Sequence, residues 1–193
     1  MTTEYPEHWT IAIRGVLRRE GWPAPARAHR ADPGGLTRGG ITATNWTHHA
    51  RLDHPATAGE LDAINEHDAL NFYAEAYVRR LGLEVVHEPL FSLLLDWAVT
   101  SWNNPVRTLQ RELARRGLYA GRLDGVMGPQ SREALRLDDN PQETYRAVFR
   151  ARVQFYTNLA IRQSVVLRFL RAHPDALLHN LQGWTARALE FAP

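Results

Sequence analysis

Arg19-Glu20-Gly21-Trp22, a short Pro/Ala/Arg loop, and then Asp32-Pro33-Gly34-Gly35-Leu36-Thr37-Arg38-Gly39-Gly40-Ile41-Thr42 make up the stretch on which the fold of this chain turns. Upstream of it, Trp9, Ile13, Val16 and Leu17 stand at i, i+4, i+7 and i+8, one face of a 3.6-period helix, and Glu20 continues the series at i+11. The helix therefore ends on a carboxylic acid that lies on its apolar stripe, while Arg14, Arg18 and Arg19 take other directions. An acid on a buried edge has its charged form disfavoured, which a general acid at neutral pH requires. Taken singly, a Glu at a helix end is often a solvated or capping group, and Asp-Pro-Gly-Gly is an ordinary turn whose Pro and Gly supply the dihedrals. The pairing of the two is what points to chemistry.

A Glu at a helix terminus followed by a turn carrying Asp and Thr resembles the Glu…Asp…Thr arrangement of phage-type lysozymes. The wording is more similar still to glycoside hydrolase family 108, N-acetylmuramidases whose motif reads Glu-Gly-Gly-aromatic and then Asp-Pro-Gly-Gly-x-Thr-x-x-Gly-Ile-Thr. Asp32, Gly34, Gly35, Thr37, Gly40, Ile41 and Thr42 match in register; Trp22 departs, following Gly21 where the family has a second glycine before its aromatic residue. The resemblance implies cleavage of the β-1,4 bond between N-acetylmuramic acid and N-acetylglucosamine, with Glu20 protonating the leaving oxygen. Asp32 is then the stabiliser of the oxocarbenium ion or, with Thr37 or Thr42, the holder of the attacking water. Gly21, Gly34, Gly35 and Gly40 shape the turns. No metal and no cofactor is needed.

Composition sets the bounds. A chain of 193 residues suffices for one good-sized core or two small units. It has no cysteine, so neither a disulfide framework nor a thiolate-metal site supports it. All 23 basic residues are Arg, the formal charge is only +2, and no dense basic run argues for nucleic acid. Mild basicity suits a polyanionic target such as a cell wall. No stretch approaches the apolar length of a membrane span. The first residues carry neither a basic nor an apolar leader region, so a protein made in the cytoplasm is expected, reaching the wall in the periplasm or outside through a holin or a specialised export route. A monomer is expected.

Residues 43–56 read as a polar, irregular stretch in which His48, His49 and His54 are surface residues; Trp46 is core or a sugar-stacking platform. Thr57-Ala58-Gly59-Glu60 has the form of a capping box, and Asn65-Glu66-His67-Asp68 that of a second helix start. The helix that follows carries Leu70, Tyr73, Tyr77 and Leu81 as a stripe and stops near Gly82. In the family a helix with paired tyrosines occupies the same place, which makes Tyr73 and Tyr77 candidates to line the sugar cleft, with plain core packing as the alternative. Leu90-Phe91-Ser92-Leu93-Leu94-Leu95-Asp96-Trp97-Ala98-Val99 is apolar nearly all round and belongs inside a globule, so Asp96 must be paired. Related enzymes end this helix with Asn-Ser-Gly; here Thr100-Ser101-Trp102 alters the wall. Trp22, Trp46, Tyr73, Tyr77 and Trp102 are thus the candidate substrate-binding side chains.

Asn104-Pro105 starts a helix with Val106, Leu109 and Leu113 on its buried face and Gly117 at its end. Leu109-Gln110 on that helix, then Asp124-Gly125-Val126-Met127-Gly128-Pro129, then a helix with Ala134-Leu135, resembles the predicted peptidoglycan-binding segment found behind this catalytic region. Asp124 is expected to bond the amides of the turn, and Gly125 and Gly128 to supply positive φ. Beyond Pro141 a long pattern of Tyr145, Val148, Phe149, Arg152, Phe155, Tyr156 and Leu159 continues past a break expected near Gln163-Ser164, with the arginines of 146–152 on a solvated face. Gly183-Trp184-x-x-Arg187 matches the family's closing signature. The expected fold is an all-α, lysozyme-like globule with a substrate cleft and a minor hairpin at the Asp-Pro-Gly-Gly turn. Residues 1–89 form the catalytic region, and residues 90–193 a helical peptidoglycan-binding-like region. The partner is the glycan strand of peptidoglycan; the alternative is a catalytically silent wall-binding or virion protein of the same fold.

Overall fold

The computed structural model describes residues 5–28, 35–170, 186–187 and 190–192, so Asp32, Gly34 and the Gly183-Trp184 pair lie outside the described residues. The chain forms two compact units, Met1–Glu88 and Pro89–Pro193, and is predominantly helical with one small sheet, as expected of a lysozyme-like fold.

In the first unit, α1 (Glu7–Arg19) follows Pro6 and buries Trp9, Ile13, Val16 and Leu17, the stripe expected from its period. Three short antiparallel strands come next, in the order β1 (Arg27–Ala28), β2 (Leu36–Arg38) and β3 (Ile41–Thr42). Arg27 faces Thr37 across one ladder, and Thr37 faces Thr42 across the other. The tight connection is Gly39-Gly40, both at positive φ (52° and 76°), as a two-residue hairpin between right-twisted strands requires.

Residues 43–56 are not irregular throughout: they begin with helix α2 (Ala43–His49), started by the Thr42 hydroxyl, which accepts the Asn45 amide at 3.2 Å. Helix α2 buries none of its residues fully and so has no apolar stripe to announce it. The two expected capping boxes are present, Thr57 with Glu60 at α3 (Ala58–Asp62) and Asn65 with Asp68 at α4 (Glu66–Tyr73). Beyond Tyr73 the helix widens into a π turn over Ala74–Arg79 before Gly82 ends it at φ 75°.

The second unit holds α5 (Leu90–Ser101), α6 (Asn104–Arg115), α7 (Pro129–Arg136) and α8 (Pro141–Leu170). Leu93, Leu94, Leu95 and Trp97 are buried on all sides of α5, and so is Asp96, at 0 % exposure. Its partner is Arg152 of α8, also at 0 %, with Arg187 joining at 2.9 Å. The arginines of 146–152 therefore do not share one solvated face: Arg146 and Arg150 are exposed, whereas Arg152 follows Tyr145 and Val148 down the buried stripe. A carboxylate inside an apolar helix needs a countercharge, and that need outweighs the cost of burying the guanidinium. Helix α8 also runs unbroken through Gln163 and Ser164, since neither residue removes an amide donor or demands a turn.

Between α6 and α7 the expected tight turn is built around Gln110, wholly buried, whose amide donates to Asp124 Oδ1 (2.8 Å) and the Val126 carbonyl (3.0 Å) and accepts from Gly125 N (2.9 Å). Asp124 Oδ1 also takes the Val126 amide, and these two donors, Gln110 first, hold its carboxyl below the usual range. Gly125 has φ +81°, and a Cβ there would stand 2.7 Å from the Asn103 carbonyl. Gly128 differs from expectation: it is extended (φ −72°, ψ 179°) at the N-cap of α7 and uses no positive φ.

Candidate active site

Helix α1 ends in a two-bond cap that fixes the direction of Glu20. The Gly21 amide returns to the Arg18 carbonyl (3.1 Å) and the Trp22 amide to Leu17 (2.9 Å), with Gly21 at φ +85° just past the cap position. This is the Schellman arrangement, and it places Glu20 at the cap residue itself, half-buried. Trp22 at the position beyond is the amide donor that closes the motif. A second glycine is not needed for that, which explains how the chain accommodates its departure from the family wording.

What stands against Glu20 is the turn of the β2–β3 hairpin. A Cβ built on Gly40 would lie 2.8 Å from Glu20 Cγ and 3.2 Å from Glu20 Cδ, and would strike the Tyr73 hydroxyl. Tyr73 itself is fully buried, and its hydroxyl donates to the Gly39 carbonyl at 2.8 Å. Glycine at position 40 is thus required twice, by its positive φ and by the acid and phenol that crowd it. Tyr73 is both core and site wall: its ring is inside and its oxygen ends at the hairpin beside Glu20.

Tyr77 stacks on Tyr73 with ring centres 5.5 Å apart and planes at 21°. Burial pushes its phenol up, and the negative charge of Glu20 pushes it further in the same direction. The aromatic row continues through Phe72 to His49, whose ring meets Phe72 edge-on at 5.3 Å, and then to the half-buried Trp46, 5.4 Å from His49. His49 is consequently not a plain surface residue; burial lowers its pKa against the opposing pull of Glu75 and Asp68. His54 is at the surface, bonded to Asp53 and Glu60.

Thr37 and Thr42, direct neighbours across the hairpin, are both engaged with backbone. Thr37 donates to the Ile41 carbonyl at 3.3 Å, and Thr42 caps α2. Trp22 lies under the Arg38 guanidinium at 4.3 Å and packs against Gly39. Gly35 keeps a positive φ of 68°. Trp102 belongs to the second unit, where it ends α5 at φ 52°, 40 % exposed.

Arg38 is the residue that sequence reading passed over. Its guanidinium donates to the carbonyls of Leu61 (3.0 Å), Asp62 (2.8 Å) and Ile64 (2.7 Å), and more loosely to Pro23 and Ala24 (3.3 Å each). One side chain so ties the loop after Glu20, the hairpin and the end of α3 together. Only its position between two match residues of the motif hinted at this.

Residues 13–101 match the glycosyl hydrolase 108 family, and residues 104–189 match a predicted peptidoglycan domain. The first match runs beyond the first compact unit and takes in α5. Among solved structures, that of Brucella abortus SagA is similar at a TM-score of 0.62, with 21% identity and 95% of both chains covered, a likeness of fold. No curated protein matches the chain.

Proposed function

We propose, from the premise that this chain is a glycoside hydrolase of family 108 joined to a predicted peptidoglycan domain, that it is an N-acetylmuramidase with Glu20 as its general acid. Its coarser activity, hydrolysis of peptidoglycan, goes with the two domains it carries. The observation that supports the finer reading is the setting of Glu20: a half-buried carboxyl at a rigid helix end, packed against Gly40 in the hairpin turn whose Gly39 carbonyl takes the Tyr73 hydroxyl.

The chemistry asks for a proton on the leaving oxygen as positive charge spreads over the anomeric carbon and ring oxygen. Glu20 supplies that proton, and the capped helix end holds its Cα still while the hairpin limits its rotamers. Thr37 and Thr42, on facing positions of the hairpin, are the candidates to orient the water, together with Asp32. Tyr77 and Trp46, the more open members of the aromatic row, offer ring faces to sugar, with Trp22 behind the hairpin and Trp102 in the second unit as further candidates. Delivery to the wall through a holin or a dedicated export route belongs to the same proposal.

The test is digestion of purified sacculi by the wild type and by Glu20→Gln, with borohydride reduction of the products. Reduced N-acetylmuramic acid ends from the wild type and a loss of at least roughly 100-fold in the variant are expected, the scale of a missing general acid. Reduced N-acetylglucosamine ends would assign the other glycosidic bond. Equal clearing by the variant would remove Glu20 from the mechanism, and sacculi left intact by the wild type would make the protein a wall binder.

A further inference from the structure

We propose that Arg38 is a positioning residue for Glu20, holding in one clamp the loop that leaves the acid and the hairpin turn that packs against it. This rests on the reading of Glu20 as the general acid and adds the side chain that fixes its surroundings.

Two segments bound the space around Glu20. One is the loop that follows it, whose Trp22 amide closes the α1 cap on the Leu17 carbonyl at 2.9 Å. The other is the β2–β3 turn. A Cβ on Gly40 would lie 2.8 Å from Glu20 Cγ, and a Cβ on Gly39 would lie 2.7 Å from the Trp22 ring and 3.5 Å from Leu17 Cδ2. The turn is thus seated on the last residues of α1 with no room to spare. Its flanking strands are only three and two residues long, too short to hold it there alone.

Arg38, next to the turn, bridges both segments. The Trp22 ring lies under its guanidinium at 4.3 Å. Its Nη2 donates to the Pro23 carbonyl and its Nε to that of Ala24, both in the loop, while Nη1 donates to the carbonyls of Leu61, Asp62 and Ile64 at the end of α3. Asp62 Oδ1 ties the same loop further along, accepting the Ala26 amide at 2.7 Å. The side chain is 12 % exposed, so these acceptors have little water to turn to once the guanidinium is gone.

A guanidinium spent on carbonyls and an indole acts through those contacts rather than on the sugar. Its effect on the reaction is geometric. A proton donor must meet the leaving oxygen in register, and a displacement of about 1 Å can cost on the order of 100-fold. Lysine in its place keeps the charge and loses the planar fork.

The test is a mutant cycle in the full chain, with release of reducing ends from sacculi followed well below each variant's melting. Arg38→Lys is expected to lower kcat roughly tenfold to a hundredfold and to leave KM, the half-saturating concentration of sacculi, within about twofold. In the Glu20→Gln background the same substitution is expected to change the residual kcat by less than about twofold, since the group it positions is already lost. Leu109→Ala, at a fully buried position of the second unit, serves as a destabilised control and should keep its kcat. Wild-type kcat in Arg38→Lys overturns the proposal. So does an equal loss in both backgrounds, or an equal loss in Leu109→Ala, either of which reduces Arg38 to a contributor to stability. Wild-type activity in Glu20→Gln alone would instead overturn the general-acid reading.

Discussion

The hydroxyl of Tyr73, on a helix more than thirty residues downstream, donates a 2.8 Å hydrogen bond to the Gly39 carbonyl in the hairpin turn that packs against Glu20. Helix α4 thereby holds the hairpin, and the hairpin holds the acid. Gly40 is the position at which all three meet.

Replacing Gly40 by Ala puts a Cβ into the Tyr73 hydroxyl and Glu20 Cγ at a backbone with φ +76°. A loss of roughly 2 to 4 kcal/mol in urea unfolding is expected, the sum of backbone strain and overpacking. Activity should fall by more than the unfolded fraction accounts for. Tyr73→Phe is the milder companion: it removes one hydrogen bond and leaves the Gly39 carbonyl without it, at about 1 kcal/mol. A Gly40→Ala protein as stable as the wild type would show that the hairpin does not press on the acid.

Arg38 makes its five carbonyl contacts through a planar fork that an ammonium cannot reproduce. Arg38→Lys is therefore expected to cost about 2 to 3 kcal/mol, despite the retained charge, because several carbonyls lose a charged donor together. Thermal melting of the full chain reads this directly. A shift no larger than that of an exposed Arg→Lys change, Arg132→Lys for example, would contradict the keystone role.

The Asp96–Arg152 pair in the second unit gives a prediction with two arms. Asp96→Ala leaves the Arg152 guanidinium buried at 0 % exposure without its carboxylate and should cost about 3 to 5 kcal/mol, whereas Arg152→Ala leaves Asp96 with Arg187 and should cost less. Asp96→Leu combined with Arg152→Met removes the fully buried pair with similar volume and leaves only Arg187, 13 % exposed and able to turn to solvent, and is expected to recover most of that loss. Additive losses in the double variant would mean that packing, not charge, is what these residues contribute.

The start of α3 carries a pH-dependent contribution. The Thr57 amide, then the Thr57 hydroxyl and His54, hold Glu60 at about 2. Asp53 first, then Glu60, raises His54 above its usual value. Glu60 is depressed, so its contribution is full above its ordinary pKa and is lost as pH falls toward 2. His54 is raised, so its contribution is full below the ordinary histidine value and is lost as pH climbs through the raised one. The melting difference between wild type and Glu60→Gln should be widest at about pH 5 to 6 and narrow on either side. A difference that stays constant down to about pH 2 would rule out the linkage.

Local rules were enough to read much of this chain. The α1 stripe that ends on Glu20, the boxes at Thr57 and Asn65, the all-round apolar pattern of α5 and the Asp124–Val126 bond of the turn before α7 are relations between residues a few positions apart, which periodicity and capping express directly. Helix α2 escaped because its cap has no apolar stripe behind it, and the imagined break in α8 came from two polar residues that a helix tolerates. The order of motifs, Glu-Gly-aromatic then Asp-Pro-Gly-Gly-x-Thr, carried the resemblance to the family whose model matches residues 13–101.

By itself, then, the sequence determined which residues begin and end the helices, where an acid sits on an oily stripe, and which turns demand glycine. Only the tertiary structure decided that Tyr73 reaches back to Gly39, that Arg38 gathers carbonyls from two distant segments, and that Arg152, with Arg187, neutralises Asp96. The physical reason is one of range. Capping and periodicity act over a single helical turn, whereas a buried donor or charge takes its partner from whichever distant segment packing delivers.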